Sequence, residues 1–179
     1  MTNELQRFLM VWDMEANKTA SLIRALPSDQ YDFRPDPTGR SLGELAWHLA
    51  EVDAYATYGV EQGTFQFTNK PPGIQRPKSI EALAPAYERV HADAVERVRK
   101  LEVADLDRKI LHFTGKELSI RDLLWSSLLL HMVHHRGQLS LLCRLAGGAA
   151  PGVYGPNREE MAAVRARQAE TNQVAGSSS

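Results

Sequence analysis

An excess of cations is missing from this chain: 21 Lys and Arg stand against 22 Asp and Glu, a formal net charge of −1, and no segment gathers the basic residues. That excludes the electrostatic footprint by which proteins hold nucleic acid or an anionic membrane surface. Cysteine is nearly absent. The one example, Cys143, cannot close an internal disulfide, in keeping with a reducing compartment. No basic leader precedes the first apolar run, Phe8-Leu9-Met10-Val11-Trp12, and that run is too short for a signal segment or a membrane span. There is no internal repeat and no sustained strand alternation. The expectation is a soluble, cytoplasmic, all-α protein without nucleic-acid or membrane partners.

What is present is helical periodicity. The 179 residues, 43 % of them hydrophobic, suit one domain with a single core, expected over 1–172 with a flexible tail at 173–179. A first helix runs from a Thr2 cap to Leu26 and is stopped by Pro27, with Leu5, Phe8, Trp12, Ala16, Thr19 and Ile23 on one face. After a Pro- and Gly-punctuated connector, Ser41-Leu42-Gly43-Glu44 is a capping box that starts a second helix reaching Gly63. A long loop over 64–78, of the kind that covers sites, leads to a third helix capped by Ser79. Pro85 either opens or bends that helix. Its inner face carries Ile80, Leu83, Tyr87, Val90, Ala94 and Val98, while His91, beside Glu88 and Arg89, reads as solvated. Ile110-Leu111-His112-Phe113 and the turn after it suggest a short extended pair, with His112 as a turn-flanking polar residue.

The fourth helix opens at Ser119 and ends at Gly147-Gly148. On a regular wheel of about 100° per residue, His131 and His135 share the side of Leu124, Leu128 and Leu142. The helix is apolar almost all round, as a central helix is. Imidazoles one turn apart in such a place are either core side chains satisfied by backbone or water, or two ligands of one ion; a third donor would decide. His48, at the edge of the second helix's apolar stripe, is the candidate. Gln138 lies one turn past His135 and could orient an imidazole. Cys143 reads as a small core residue, Glu44 as a cap, and Tyr154 as a residue that either packs or folds over the site. Asn157 to Glu160 starts a short helix to about Thr171.

Taken together, Arg34-Pro35, Arg40-Ser41-Leu42-Gly43-Glu44-Leu45-Ala46-Trp47-His48-Leu49, the His131-x-x-His134-His135-Arg136-Gly137-Gln138 segment and Pro151-Gly152-Val153-Tyr154-Gly155-Pro156 resemble the DinB-like (YfiT-like) metalloenzyme family, in the family's order. The resemblance implies an up-and-down four-helix bundle, with a short C-terminal helix, carrying a divalent metal on His48, His131 and His135; His134 and Arg136 match motif positions without being ligands. It implies a homodimer and favours a metal-dependent transferase, of the thiol S-transferase type, or a hydrolase. The small-molecule substrate would include a low-molecular-weight thiol. The ion is left among zinc or nickel, ranked first, and iron or manganese, because imidazole serves several of these metals. Three neutral imidazoles leave a dication uncompensated and a coordination position open, the pattern of catalytic sites. The competing class is a non-catalytic metal-binding or stress-responsive interaction protein.

Overall fold

The computed structural model describes residues 2–176. Asn3 rather than Thr2 opens α1 (Glu4–Arg24): its side chain accepts the Gln6 amide while the Gln6 side chain accepts the Asn3 amide. The reciprocal box needs the capping oxygen three residues before its partner, and Thr2 is one residue out of register for Gln6. In α2 (Leu42–Gln62) the expected Ser41–Glu44 box is present. Gly43 is required there, because a Cβ would sit 2.4 Å from the Tyr31 ring, and Tyr31 in turn donates to the Pro77 carbonyl at 2.6 Å, tying the two long connectors together.

Helix α3 (Ile80–Arg99) continues unbroken through Pro85. The proline is on the exposed side, so the carbonyl that loses its amide partner is left to water. All six predicted inner-face residues of α3 are buried. His91 is a correction: it is 8 % exposed rather than solvated.

A small sheet supplements the helices. Strand β1 (Thr64–Phe65) pairs in parallel with β2 (Lys109–His112), Phe65 opposite His112, and β2 pairs antiparallel with β3 (Glu117–Ser119). The β2–β3 pair is the extended segment expected from sequence. Strand β1 falls inside the stretch read as a long, site-covering loop, since two residues are too few to show an alternation. It reaches its place because α2 carries Gly59, where a Cβ would meet the Phe65 Cβ at 2.8 Å and its Cα at 2.9 Å.

The fourth helix, α4 (residues 120–145), is not uniform. It opens as Ile120–Asp122 on a Ser119 cap, widens into π-type turns over Leu123–Leu130, and becomes regular over His131–Leu145. Each wide turn takes in an extra residue, so the regular wheel fails upstream of His131. Leu124 and Leu128 are buried, whereas His131 is exposed and His135 half-buried. The histidines do not share the leucines' buried environment, and α4 is not wrapped on all sides: Leu130 and Leu141 are each 62 % exposed. Cys143 is buried, as expected.

The four long helices form the expected bundle, with α2 between α3 and α4 and α1 packed on both of those from the other side. Trp12, Trp47, Tyr87 and Phe8 fill its core. Helix α5 (Arg158–Gly176), capped by Asn157, extends past Thr171 and takes up residues 173–176, which the sequence reading had placed in the tail. Its Ala-, Arg- and Gln-rich sequence has no breaker before Gly176. Residues 177–179 lie outside the described residues. Among the described residues no helix is long and apolar enough to cross a membrane.

Candidate metal centre

Three imidazoles meet where α2 and α4 lie side by side. His48 comes from the second turn of α2, and His131 and His135 from the first two regular turns of α4, directly after the π-type segment. Ring centroids are 5.7 Å apart for His48–His131, 4.6 Å for His48–His135 and 4.5 Å for His131–His135. One ring nitrogen from each lies within 4.8 Å of the other two. The candidate residues named from sequence are therefore brought together by the fold.

Two neighbours set which nitrogen is presented by two of the three rings. His48 Nδ1 lies 3.2 Å from Glu51 Oε2. A carboxylate only accepts, so Nδ1 carries a proton and the neutral tautomer this selects presents Nε2. His135 Nδ1 stands in the same relation to Gln138 Oε1 at 2.6 Å, and Gln138 Nε2 donates to His134 Nε2 at 3.1 Å. A ring oriented through its far nitrogen by a carboxylate or amide is the usual support of a metal-ligating histidine. Gln138 was anticipated in that role. Glu51 was not, although a carboxylate one helical turn after His48 is the signal that could have found it.

Protonation is suppressed at the cluster. Burial lowers the His135 pKa to about 4 from 6.5, helped by His48, His131 and His134 and opposed by the Gln138 hydrogen bond. His131 is lowered by burial and by His48, His134 and Arg40. Neutral imidazole is the ligating form. Nitrogen donors to zinc-like ions bind at about 2.0–2.1 Å, within reach of half-exposed rings that start this close. The donor set thus fits a divalent ion.

Beside the histidines is a cavity of about 400 Å³ lined by His48, His131, Arg40 and Glu51 at one end and by Tyr55, Phe65, Phe67, His112 and Phe113 elsewhere. The sequence reading missed this cavity. Its walls come from Arg40 before α2, from α2 itself, from β1 and the residues after it, from the end of β2 and the turn that follows, and from Ser127 and His131 of α4. His112 is buried against Phe65, with ring centroids 5.1 Å apart, and its Nδ1 pairs with the Thr114 hydroxyl at 2.8 Å.

Two other polar clusters lie elsewhere. Arg136 is 2 % exposed and pairs with Glu15, donating also to the Glu15 backbone carbonyl at 2.8 Å. Tyr154, 68 % exposed, does not fold over the histidines; its hydroxyl meets Glu15 and Arg136 and its ring lies under Lys18 Nζ at 4.2 Å. The fully buried Asp53 accepts from Trp12 Nε1 at 3.1 Å and from His91 Nδ1 at 2.7 Å. Sequence offered a signal here too: Tyr87 and Ala94, four before and three after His91, both belong to the inner face of α3.

A helical bundle with a three-histidine cluster on two adjacent helices is the class that fold and site define. The sequence profile described as the DinB family matches residues 1–172, and the chain belongs to that family. Among its relatives is YrdA of Bacillus subtilis (strain 168), itself named uncharacterized, 29 % identical over 162 residues that cover 90 % of this chain and 95 % of YrdA. A crystal structure of a DinB-like protein from Bacillus cereus ATCC 10987 superimposes with a TM-score of 0.71 at 27 % identity, covering 86 % of this chain and 100 % of that one. The DinB-like protein YjoA of Bacillus subtilis gives 0.67 at 23 % identity over 85 % and 99 % of the two chains, a likeness of fold.

Proposed function

We propose that this DinB-family chain binds a divalent metal through His48, His131 and His135 and is a metal-dependent transferase of the thiol S-transferase type. The observation that carries the reading is the pairing of His48 with Glu51 and of His135 with Gln138, which turns two ring nitrogens toward a common point beside His131. A divalent ion there would supply Lewis acidity, making a thiol or a water a nucleophile at neutral pH. The chain's own residues do the rest. Glu51 and Gln138 fix tautomers, the suppressed protonation of His131 and His135 keeps their lone pairs free, and His48 and His131 face the cavity in which a small electrophile would wait. Hydrolysis would use the same arrangement with water in place of the thiol.

Zinc or nickel is the ion we favour, with iron or manganese next, on imidazole chemistry alone. Association of two copies belongs to the same proposal; Leu130, Leu141 and Leu145 form an exposed apolar stripe on α4 suited to it. The test is elemental analysis of protein purified without added metal, followed by thiol-transfer assays. About one ion per chain is expected if the three imidazoles bind as one site, with occupancy lost in His48→Ala and His135→Ala and activity lost with it. Full occupancy in both variants would overturn the ligand assignment. Turnover unchanged by metal removal would take the ion out of the mechanism, and normal metal loading without turnover on any thiol–electrophile pair would leave a metal-binding protein.

A further inference from the structure

We propose that the cavity beside the histidines selects a substrate with a planar, apolar body and an anionic substituent, the body held by the Phe65, Phe67 and Phe113 rings and the anion by Arg40. This deepens the transferase reading by naming its electrophile, but the binding itself does not depend on a metal.

The rings form a connected wall. Phe67 lies 4.5 Å from Phe113, Phe65 lies 5.3 Å from Phe113 and 5.6 Å from Phe67, and Tyr55 closes the side at 5.9 Å from Phe67, all between ring centroids. Edge-to-face and tilted arrangements at such separations are those in which aromatic rings attract one another, and a flat apolar guest can join them. Phe65 is buried, whereas Phe67 and Phe113 are 56 % and 44 % exposed at the rim. Large apolar rings held half in water around a concavity, rather than turned into the core, offer surface for a ligand to cover. A volume of about 400 Å³ sits at the small end of ligand pockets, roughly 300–1,000 Å³, and suits one or two fused rings.

Beside the histidines the lining carries one cation, Arg40, and one carboxylate, Glu51. Arg40 lines the cavity together with His131. The nearby carboxylate of Glu44 is engaged by Arg34 and Arg76 instead, and among the described residues Arg40 has no ion-pair partner. Glu51, the other charged residue of the lining, is committed to His48. The guanidinium is thus the group left to meet a carboxylate or similar anion. A strongly polar thiol has little to gain from this aromatic wall. The edge carrying His135, Gln138 and His134 lies outside the lining and is polar, so the thiol approaches from there and the electrophile from the cavity.

Calorimetric titration with 2-naphthoate and its neutral analogue 2-naphthylmethanol tests the assignment. Both should bind saturably at one site, the naphthoate more tightly. Phe113→Ala should weaken both by about fivefold, the loss of one aromatic contact, and Phe67→Ala should do the same, with circular dichroism showing each variant folded. Arg40→Gln should weaken 2-naphthoate by about fivefold while leaving 2-naphthylmethanol within about twofold, as for one charged hydrogen bond near the surface. Metal-stripped protein should keep the binding of 2-naphthylmethanol, so a failed metal site and a failed cavity are told apart. No saturable binding of either probe, binding unchanged by both phenylalanine substitutions, or equal loss of both probes in Arg40→Gln would overturn the proposal.

Discussion

The histidine cluster between α2 and α4 and the Arg136–Glu15 cluster between α4 and α1 use the same helix for opposite ends. At Glu15 every polar atom is answered: Lys18 at 2.8 Å, the Arg136 guanidinium and the Tyr154 hydroxyl surround one buried carboxylate. Burial would raise its pKa, but the hydrogen bonds from Lys18, Tyr154 and Arg136 outweigh it and hold the group at about 2. At His48 and His135 one ring nitrogen is tethered, to Glu51 and Gln138, while a ring nitrogen from each of the three histidines lies within 4.8 Å of the other two. A saturated cluster contributes to the fold. A cluster left unsaturated by its own supports is poised for a ligand.

The largest effect that separates the two comes from Arg136→Met, which strands Glu15 in the core. It should cost about 3–5 kcal/mol in urea unfolding, the usual result of removing one partner of a buried pair, and leave the histidines able to bind metal if the protein is kept folded at low temperature. Next is Gly59→Ala. Its Cβ would press on the backbone of Phe65, so a loss of about 1–3 kcal/mol by overpacking should be accompanied by weaker binding of aromatic probes in the cavity. Glu51→Gln removes the carboxylate behind His48 and should lower metal affinity by about 10–100-fold, read by competition with a chelating dye, while the unfolding midpoint of the metal-free protein barely moves.

Acid should separate the clusters by pH. In metal-free protein His135 takes up its proton at about 4 when folded against an ordinary 6.5, so the unfolded chain binds more protons in between and stability falls as pH drops through that window. Glu15, depressed to about 2 from 4.5, contributes stability that is present above 4.5 and is lost as pH falls from there toward 2. Unfolding free energy followed against pH should show the first loss removed by His135→Ala and the second by Glu15→Gln. The smallest effect is expected for His131→Ala in metal-free protein. The ring is exposed, and its removal should change stability by no more than about 0.5 kcal/mol; a larger loss would mean that the cluster braces the bundle.

Particular residues show how far the chain could be read. The Ser41–Glu44 box, the inner face of α3 and the spacing of His131 and His135 are local patterns tied to helix periodicity, and each survives in the fold. The phase of α4 did not, because hydrogen bonds over Leu123–Leu130 skip one residue further and nothing in Leu-Leu-Trp-Ser-Ser-Leu-Leu-Leu announces it. His91 was misplaced because its charged neighbours Glu88 and Arg89 hid a side chain whose partner, Asp53, lies on another helix.

Sequence alone determined the helices, the caps at Ser41, Ser119 and Asn157, the three imidazoles and, through the order of the motifs, the family, since each is written in spacings of three and four residues or in short contiguous runs. Tertiary structure decided everything that depends on two distant segments touching. The parallel pairing of Thr64–Phe65 with β2 raises the aromatic wall, Glu15 on α1 meets Arg136 on α4, and the side-by-side packing of α2 and α4 makes a centre of three separate histidines. Those contacts are set by how the core fills space, a collective outcome of many apolar side chains that no single stretch of chain encodes.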